Sequence, residues 1–393
     1  MNPIIIIGGS IAGVTAAETA RRQNPEADIL ILSRDEHLPY YRLRICEILD
    51  DPSLAGQLLL HSADWYQDRR IQIETGTEVI QVLPEQKRLI LADGRQLDWQ
   101  SLVIASGSQS FVPPVSGCQR PGVYTLWTMD DALKINKALD LAKRVVVIGG
   151  GLLGLETAYH VRRRGLETCI IEKMPRLLSN QLDDAGSAVL QHRVLDLGVE
   201  VATDADVVEI TGSQVANTSP AAAVRLADGR SVAADMIIIS IGVRSCIAFL
   251  EGSGIQTQRR IITDDRMQTN YSDIYAAGDA AEPNGYWFGL WSVSRSQGQV
   301  AGINAAGGQS TFTGVVPPYL LNTMNTRVAV QGDQGKAASP EYELDVVLDE
   351  SSENYRKLVY REGIFTGFML VGDNFDFARL QKQLGQPGPI FDK

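Results

Sequence analysis

Runs of consecutive apolar residues recur along the chain, each followed by a glycine-rich turn or a helical pattern. The first run, Ile4–Ile7, precedes such a turn and a helix predicted to begin near Gly13, and a second run follows at Ile29–Leu32. The same plan returns with Val145–Ile148 and a second strand at Thr168–Glu172. Continuous apolar runs are typical of parallel strands that are covered on both faces. The pattern therefore predicts two βαβ units.

The turn of each unit carries the spacing of a dinucleotide-binding fingerprint. The second copy has all three glycines, whereas Ser10 takes the place of the middle glycine in the first copy. Backbone N–H groups at such a turn, together with the helix dipole, bind a pyrophosphate. We therefore predict two dinucleotide sites in one chain. Their candidate binding residues are Gly8, Ser10, Ile11, Ala12, Gly13, Gly149, Gly151, Leu152, Leu153 and Gly154.

The residues that end the second strands distinguish the two sites. Glu172 ends the second strand of the later unit, where a carboxylate accepts from both ribose hydroxyls and repels a 2′-phosphate. This favours NADH over NADPH, although Lys173 and Arg176 nearby leave NADPH as the alternative. In the first unit Ser33 could bind a ribose hydroxyl, and Arg34 could cover an adenine face.

Three further strands, a helix and a C-terminal module complete the predicted organisation. The apolar strands beginning at Leu102, Met236 and Ile274 end in small or acidic residues, and a helix is predicted over Ser294–Ala306. We predict two Rossmann-like dinucleotide-binding domains of the α/β class and a small C-terminal α+β domain whose last dozen residues form a loose tail. The predicted domains are residues 1–112 with 240–314, residues 113–239 and residues 315–393.

Composition narrows the classes of function. The 393 residues are 44% apolar, and no apolar run approaches the roughly 20 residues that span a bilayer. A strand begins within four residues of Met1, which leaves no room for a signal peptide, so a cytoplasmic location is expected. The four cysteines and four histidines show no metal-ligand spacing, and a net charge of −11 argues against nucleic-acid binding. Redox work would therefore need an organic cofactor.

The order of these motifs resembles the flavoprotein class of pyridine nucleotide-disulphide oxidoreductases over essentially the whole chain. The resemblance implies that the first fingerprint binds FAD, that the second binds NAD(P)H, and that Asp279 holds the flavin ribityl chain. It also places Glu156 near the nicotinamide; the alternative is an acid stabilised in the first turn of a helix. Further candidate cofactor contacts are Val79, Ala105, Ser106, Gly107, Gly242 and Gly278.

The segment Leu38–Arg44 is similar to the Tyr-Tyr-Arg-Pro-Arg stretch of NADH:rubredoxin oxidoreductases and of the flavin portion of NADH-dependent nitrite reductases. Leu43 stands where that family has proline, but Arg42 and Arg44 are present. The resemblance places both arginines beside the flavin, where they would neutralise phosphate or present positive charge to a docking protein; the alternative is plain surface arginines. The stretch Phe288–Gly302 is also similar, and implies a helix N-terminus directed at the flavin pyrimidine ring.

The cysteines needed for a thiol relay are absent from the sequence. No Cys-x4-Cys pair is present, and the single cysteine of related peroxidases and oxidases aligns with Leu43. Cys46 lies three residues further on, and we interpret it as a packed cysteine, a slipped alignment being the alternative. Electrons should therefore leave the flavin directly for an external acceptor.

The resulting hypothesis is an enzyme that passes electrons from NADH through FAD to rubredoxin or a similar small electron-transfer protein. One alternative is a flavin subunit that serves a nitrite reductase or another terminal reductase on a partner chain. Another is a redox sensor that binds FAD and NADH. Acidic partners conflict with the net charge of −11 unless basic residues such as Arg42 and Arg44 concentrate at the docking face.

Overall fold

A computed structural model describes residues 2–212, 219–314, 316–335, 341–349, 351, 353–372 and 376–390. The helices are α1 (Ile11–Gln23), α2 (Ala63–Asp68), α3 (Met129–Leu139), α4 (Leu152–Arg163), α5 (Asp184–Asp196), α6 (Trp291–Ala305) and α7 (Phe377–Gln383). Short 3-10 helices lie at Arg42–Leu49, Pro52–Gln57, Pro84–Gln86, Ala248–Leu250 and Gly278–Ala280. No helix within the described ranges is both long and apolar enough to cross a membrane.

The strands are numbered in chain order. They are β1 (Ile4–Ile7), β2 (Ile29–Leu32), β3 (Ile71–Glu74), β4 (Val79–Leu83), β5 (Arg88–Leu91), β6 (Gln96–Asp98), β7 (Ser101–Ile104), β8 (Ser108–Ser110), β9 (Val123–Thr125), β10 (Arg144–Ile148), β11 (Glu167–Ile171), β12 (Val199–Ala202), β13 (Val207–Gly212), β14 (Ala221–Leu226), β15 (Ser231–Ala233), β16 (Met236–Ile239), β17 (Val243–Ser245), β18 (Ile261–Thr263), β19 (Ile274–Ala276), β20 (Ala281–Pro283), β21 (Tyr319–Thr323), β22 (Thr326–Gly332), β23 (Tyr342–Asp349), β24 (Asn354–Arg361) and β25 (Ile364–Gly372).

The first sheet is parallel throughout, with the order β19-β7-β1-β2-β3. Its central strands are runs of Ile, Leu and Val that are buried on both faces, as the apolar runs predict. Helix α6 packs closely on α1, because a Cβ on Gly298 would lie 2.3 Å from the Ala12 carbonyl oxygen and one on Gly302 would lie 2.2 Å from that of Ala16. Only glycine allows this approach of the two helices.

The second sheet repeats the parallel plan, with the order β12-β11-β10-β16-β9. Strands β8 and β17 pair antiparallel where the chain passes between the two sheets. The first sheet takes its strands from residues 4–104 and 274–276, and the second from residues 123–239. The domain boundaries given above stay predictions.

The 3-10 helix Arg42–Leu49 comes from the first unit but packs against the second. Its buried side chains join a core formed with α3 and α4, and the Asn136 side-chain amide donates to the Ile48 and Leu49 carbonyls at 3.0 Å each. His160 of α4 lies 2.7 Å from the Asp50 carboxylate at the end of the same segment. This segment therefore joins the two units.

The C-terminal module is an antiparallel sheet with the order β21-β22-β25-β24-β23. One face packs on α5, where the Asp183 carboxylate accepts from the Tyr355 hydroxyl at 2.7 Å and from Lys357 at 3.0 Å. The prediction of a loose tail is wrong for the part described: the amide of Gly388 donates to Gly363 at 2.8 Å, and Ile390 is buried. Residues 391–393 lie outside the described ranges.

Candidate functional site

The first glycine turn lies where β1 ends, at the carboxyl edge of the first sheet. Gly8 has φ +116°, and a Cβ there would lie 2.1 Å from the Ala105 carbonyl oxygen at the end of β7. A Cβ on Gly13 would lie 1.9 Å from the Gly8 carbonyl oxygen. Glycine is needed at both positions, because the turn touches the neighbouring strand and α1 touches the turn.

The second glycine turn has almost the same geometry. Gly149 has φ +115°, and its Cβ would lie 2.2 Å from the Ser240 carbonyl oxygen at the end of β16. A Cβ on Gly154 would lie 2.0 Å from the Gly149 carbonyl oxygen. The two turns therefore form matching cradles, one on each parallel sheet.

The helices that begin at these cradles leave their first N–H groups uncapped. Ser10 occupies the N-cap position of α1 and Gly151 that of α4, and no side chain at either position accepts from the helix N–H groups. Helices α2, α3 and α5, by contrast, are capped by Ser62, Thr128 and Asp183. Free N–H groups at a helix N-terminus suit an anion, and a Cβ on Gly151 would meet nothing within 4 Å. Both cradles therefore fit a pyrophosphate, and α1 begins at Ile11, two residues before its predicted start.

The residues after the second strands differ in the way that the sequence predicts. The Glu172 carboxylate accepts from the Gly150 amide at 2.6 Å and from the Met174 amide at 2.7 Å, so its position at the cradle is fixed by two backbone hydrogen bonds. Lys173 binds Asp206 at 2.9 Å and Arg176 binds Asp184 at 2.9 Å. The two cations that could hold a 2′-phosphate are therefore already paired with carboxylates.

Ser33 occupies the equivalent position in the first unit. Its side chain is only 3% exposed, and a Cβ on Gly9 would lie 2.8 Å from its hydroxyl oxygen. Arg34 follows with an exposed side chain that lies 3.6 Å from the Glu78 carboxylate. The first cradle therefore has no carboxylate at this position.

Asp279 lies beside the first cradle. Its carboxylate accepts from the Ser108 hydroxyl at 2.6 Å, and its carbonyl accepts from the Ser245 hydroxyl at 2.6 Å. Gly278, with φ +73°, donates its amide to the Gln297 side chain of α6 at 2.8 Å, and a Cβ there would lie 3.0 Å from the Ala12 Cβ. The structure thus brings the Gly278–Asp279 pair against the first turn of α1.

The residues that orient Asp279 were missed by sequence reasoning. Ser108 and Ser245 lie on the paired strands β8 and β17, which are far apart in sequence, so no local pattern indicates their contact. Gln297 stands in a Gln-Gly-Gln stretch of α6. A polar residue on the buried face of a helix rich in small residues is the one local signal that could have indicated its contact with Gly278.

Arg42 lies half-buried between two aromatic rings. Its guanidinium is 5.5 Å from the Tyr40 ring centroid and 5.1 Å from that of Trp127, and it donates to the Trp127 carbonyl. Burial raises the pKa of the Cys246 thiol, and the nearby charges of Arg34 and Arg42 both act against this rise. The carbonyl of Cys246 accepts from the Ser106 hydroxyl at 2.8 Å. Arg34, Arg42 and Ser106 therefore converge on one region beside Asp279.

Glu156 and Cys46 lie together between the two units. Burial, and then the charge of Glu47, raises the pKa of Glu156 to about 7. Helix α4 begins at Leu152 and has no acid in its first turn, so the alternative explanation of Glu156 as a first-turn acid is wrong. Cys46 is 2% exposed, its Sγ lies 3.8 Å from the Thr157 Oγ1, and burial and then the Glu156 charge raise its thiol pKa. A raised thiol pKa and burial both disfavour Cys46 as a nucleophile.

Three other predicted contacts differ in accessibility. The Val79 side chain is buried in the core of the first sheet. Gly107 has φ +65° and Gly242 has φ +105°, and a Cβ at either would meet nothing within 4 Å. The two glycines therefore leave room beside β8 and β17, whereas Val79 presents no side chain to a ligand.

The chain is similar to known proteins over most of its length. The family model described as pyridine nucleotide-disulphide oxidoreductase matches residues 2–298. The assimilatory nitrate reductase electron transfer subunit of Bacillus subtilis is 28% identical over 99% of the chain and 52% of the relative. The nitrite reductase [NAD(P)H] of Bacillus subtilis is 30% identical over 97% of the chain and 47% of the relative. The chain thus spans about half the length of these relatives.

The NADH-rubredoxin oxidoreductase of Clostridium acetobutylicum is matched more evenly. It is 29% identical over 84% of the chain and 81% of the relative. The crystal structure described as NADH:rubredoxin oxidoreductase from that organism has a TM-score of 0.81 and 27% identity, with 98% of this chain and 95% of that chain covered. This similarity includes the C-terminal module.

Proposed function

The chain belongs to the pyridine nucleotide-disulphide oxidoreductase family, and from this we propose that it passes electrons from NADH through FAD to rubredoxin. The family uses FAD and NAD(P)H, and the chain is accordingly an NAD(P)H-dependent flavoprotein reductase. The observation that carries the proposal is the pair of matching cradles, of which the first adjoins Asp279 and the second adjoins Glu172.

The proposed roles follow from the contacts at each cradle. The uncapped N-terminus of α1 would hold the pyrophosphate of FAD, and Asp279, already oriented by Ser108, would accept from a ribityl hydroxyl. FAD, when bound, supplies two-electron chemistry toward a nicotinamide and one-electron chemistry toward an iron centre. Helix α4 would hold the pyrophosphate of the nicotinamide cofactor, with Glu156 near the reacting ring.

NADH is the proposed coenzyme. The Glu172 carboxylate, fixed by the amides of Gly150 and Met174, would accept from the ribose hydroxyls and repel a 2′-phosphate. Lys173 and Arg176 would have to break their ion pairs with Asp206 and Asp184 to bind that phosphate.

Rubredoxin is proposed as the acceptor because the relative with that name is matched over most of both chains. Cys46 is packed against Thr157 rather than exposed, which supports direct exit of electrons from the flavin. A second candidate is an electron-transfer subunit for a nitrate or nitrite reductase. Near-complete coverage of this chain by two such relatives favours that candidate, but it requires a partner chain.

The test is anaerobic reduction of the FAD-loaded protein by NADH, followed by oxidised rubredoxin in stopped flow. We expect the flavin to be reoxidised and rubredoxin to be reduced at a rate that supports turnover. A flavin that stays reduced with rubredoxin, yet is reoxidised rapidly by dioxygen or coenzyme A disulfide, would show the acceptor to be wrong. NADH reduction that is fast, with no acceptor giving more than trivial turnover, would instead favour a redox sensor.

A further inference from the structure

Helix α4 and the 3-10 helix Arg42–Leu49 each begin at one of the two proposed nucleotide sites and then lie along each other. Helix α4 begins at the second cradle, and the 3-10 helix begins at Arg42, in the region beside Asp279 of the first. The two elements are in contact where the Cys46 Sγ lies 3.8 Å from the Thr157 Oγ1. Their alignment therefore sets the position of one cradle relative to the other.

One turn of α4 after Thr157, the contact between the two elements becomes polar. The Asp50 carboxylate, directly after the 3-10 helix, lies 2.7 Å from the His160 Nδ1 and 3.0 Å from the Arg163 guanidinium. The side chains of Asp50 and His160 are only 19% and 12% exposed. The other carboxylate oxygen, Oδ1, is buried and accepts no hydrogen bond from the described residues. An ionised carboxylate only accepts, so Nδ1 carries the proton of the short bond.

This buried pair restricts the alignment of the two elements more than it stabilises them. The contacts around it are apolar, since Ile45 and Ile48 share a core with Leu153, and apolar burial has no preferred direction. A buried ion pair contributes little net stability, because desolvation offsets the attraction, but its hydrogen-bond geometry allows one register. The Arg164 guanidinium adds a directional contact to the Leu49 carbonyl at 2.9 Å. Polar contacts therefore decide how far α4 can slide along the segment.

We infer that Asp50 and His160 are positioning residues, which hold the two cradles in the register that hydride transfer requires. The inference rests on the proposed function and adds the residues that control the approach of the two bound nucleotides. Hydride transfer needs reacting atoms roughly 3.5 Å apart, and a misplacement of about 1 Å can cost about 100-fold in rate. The affinity for each nucleotide is set within its own cradle. The pair should therefore control the rate of hydride transfer and not the binding of NADH.

The test replaces the ion pair with apolar side chains. Asp50→Leu/His160→Leu removes both buried partners, and Arg163, whose side chain is 56% exposed, can then turn to water. His192→Leu/Glu353→Leu is the matched control, because the His192 Nδ1 lies 2.5 Å from the Glu353 carboxylate at the contact of α5 with the C-terminal module. For each FAD-loaded protein we would measure urea unfolding, flavin reduction over a range of NADH concentrations, and the long-wavelength absorbance of nicotinamide stacked on flavin.

We expect the double variant to unfold within about 0.3 M urea of the unmodified midpoint, since an apolar pair can replace a buried ion pair without loss of stability. Its maximal rate of flavin reduction should fall about tenfold, and the long-wavelength absorbance should fall with it. The NADH concentration that gives half the maximal rate should stay within about threefold. The bonds of Asn136 and Arg164 to the Leu49 carbonyl persist and limit the loss. The control should stay within about twofold in every kinetic measurement.

Two further variants separate the hydrogen bond from the charge and from folding. Asp50→Asn keeps a side-chain oxygen that accepts from His160, so its maximal rate should stay within about threefold of the unmodified protein. Asp50→Ser shortens the side chain so that it no longer reaches His160, and it should show the tenfold loss. Asp50→Ser takes the place of the double variant if the latter does not fold.

The remaining outcomes overturn the inference in distinguishable ways. If NADH reduces the unmodified protein and the pair-breaking variant at rates within twofold, the positioning role is wrong and the proposed function stands. If the unfolding midpoint falls together with the rate, or if Asp50→Asn loses as much rate as the double variant, the pair does not act through register. If NADH does not reduce the flavin of the unmodified protein, the proposed function fails and the inference fails with it.

Discussion

The two glycine turns share one backbone geometry but have different surroundings. Gly8 and Gly149 have φ values of +116° and +115°, and the Cβ of each would overlap a carbonyl of the next strand at 2.1 and 2.2 Å. The first turn is enclosed by α6 and the Gly278–Asp279 pair, whereas Gly151 of the second turn is exposed. We therefore propose that the enclosed first cradle holds a resident nucleotide and that the more exposed second cradle holds an exchangeable one.

The largest effects are expected from substitution of the first glycine of each turn. Gly8→Ala should abolish retention of FAD and Gly149→Ala should abolish reduction by NADH while FAD is retained, because neither φ nor space admits a Cβ. We expect each affinity to fall by more than about 3 kcal/mol, or more than about 100-fold. FAD content after purification and the NADH dependence of flavin bleaching measure the two effects.

Gly56→Ala is the matched control, since a Cβ there would meet nothing within 4 Å. It should retain both FAD and NADH reduction. Loss of both nucleotides in Gly149→Ala would mean that the two cradles do not act independently.

The stability of the protein should report on the buried Glu156. Its pKa is raised from 4.5 to about 7, so its contribution to the free energy of unfolding is greatest below pH 4.5 and is lost as pH rises to about 7. Glu156→Gln should therefore be more stable than the unmodified protein at pH 8, by up to about 3 kcal/mol, and similar to it near pH 4.5.

Denaturant unfolding of the FAD-loaded proteins at the two pH values measures this difference. The exposed Glu251→Gln is the control, and should differ from the unmodified protein by under about 0.5 kcal/mol at either pH. If Glu156→Gln and the unmodified protein are equally stable at pH 8, a charged Glu156 does not destabilise the folded protein and the prediction is wrong.

The carboxylate that distinguishes the two cradles should set the choice of coenzyme. Glu172→Ala should lower the ratio of kcat/KM for NADH to that for NADPH by about 30-fold, or about 2 kcal/mol, since both the ribose bonds and the repulsion of phosphate are lost. Steady-state kinetics with ferricyanide measure the ratio. Lys173→Ala, the neighbouring control, should leave the ratio within about twofold; a larger fall for Lys173→Ala than for Glu172→Ala would refute the assignment.

The smallest effect is expected at Cys46, which packs against Thr157 of α4. Cys46→Ser should change NADH-driven reduction of a protein acceptor by less than tenfold, about 1.4 kcal/mol, because no thiol relay is used. Cys169 of β11 is the other buried cysteine, so Cys169→Ser controls for the cost of burying a hydroxyl. A loss well beyond tenfold in Cys46→Ser alone would restore the thiol relay as a hypothesis.

Local sequence patterns were sufficient to predict the two βαβ units of the parallel sheets and both glycine turns. Apolar runs such as Ile4–Ile7 and glycine spacing are contained within about 30 residues of a βαβ unit, so they can be read without tertiary contacts. The bond from Ser108 to Asp279 joins residues 171 positions apart, and no local signal indicates it. The packing of Arg42–Leu49 on the second unit was missed for the same reason. The burial of Ile390 was also missed, because the composition of the last residues is typical of a loose chain end.

The most direct test of the unequal cradles is an anaerobic titration of the purified protein with NADH and, separately, with NADPH. We predict a yellow protein with one FAD per chain that NADH bleaches faster than NADPH. A colourless protein that cannot be reconstituted with FAD, or one that retains nicotinamide nucleotide while FAD exchanges freely, would contradict it.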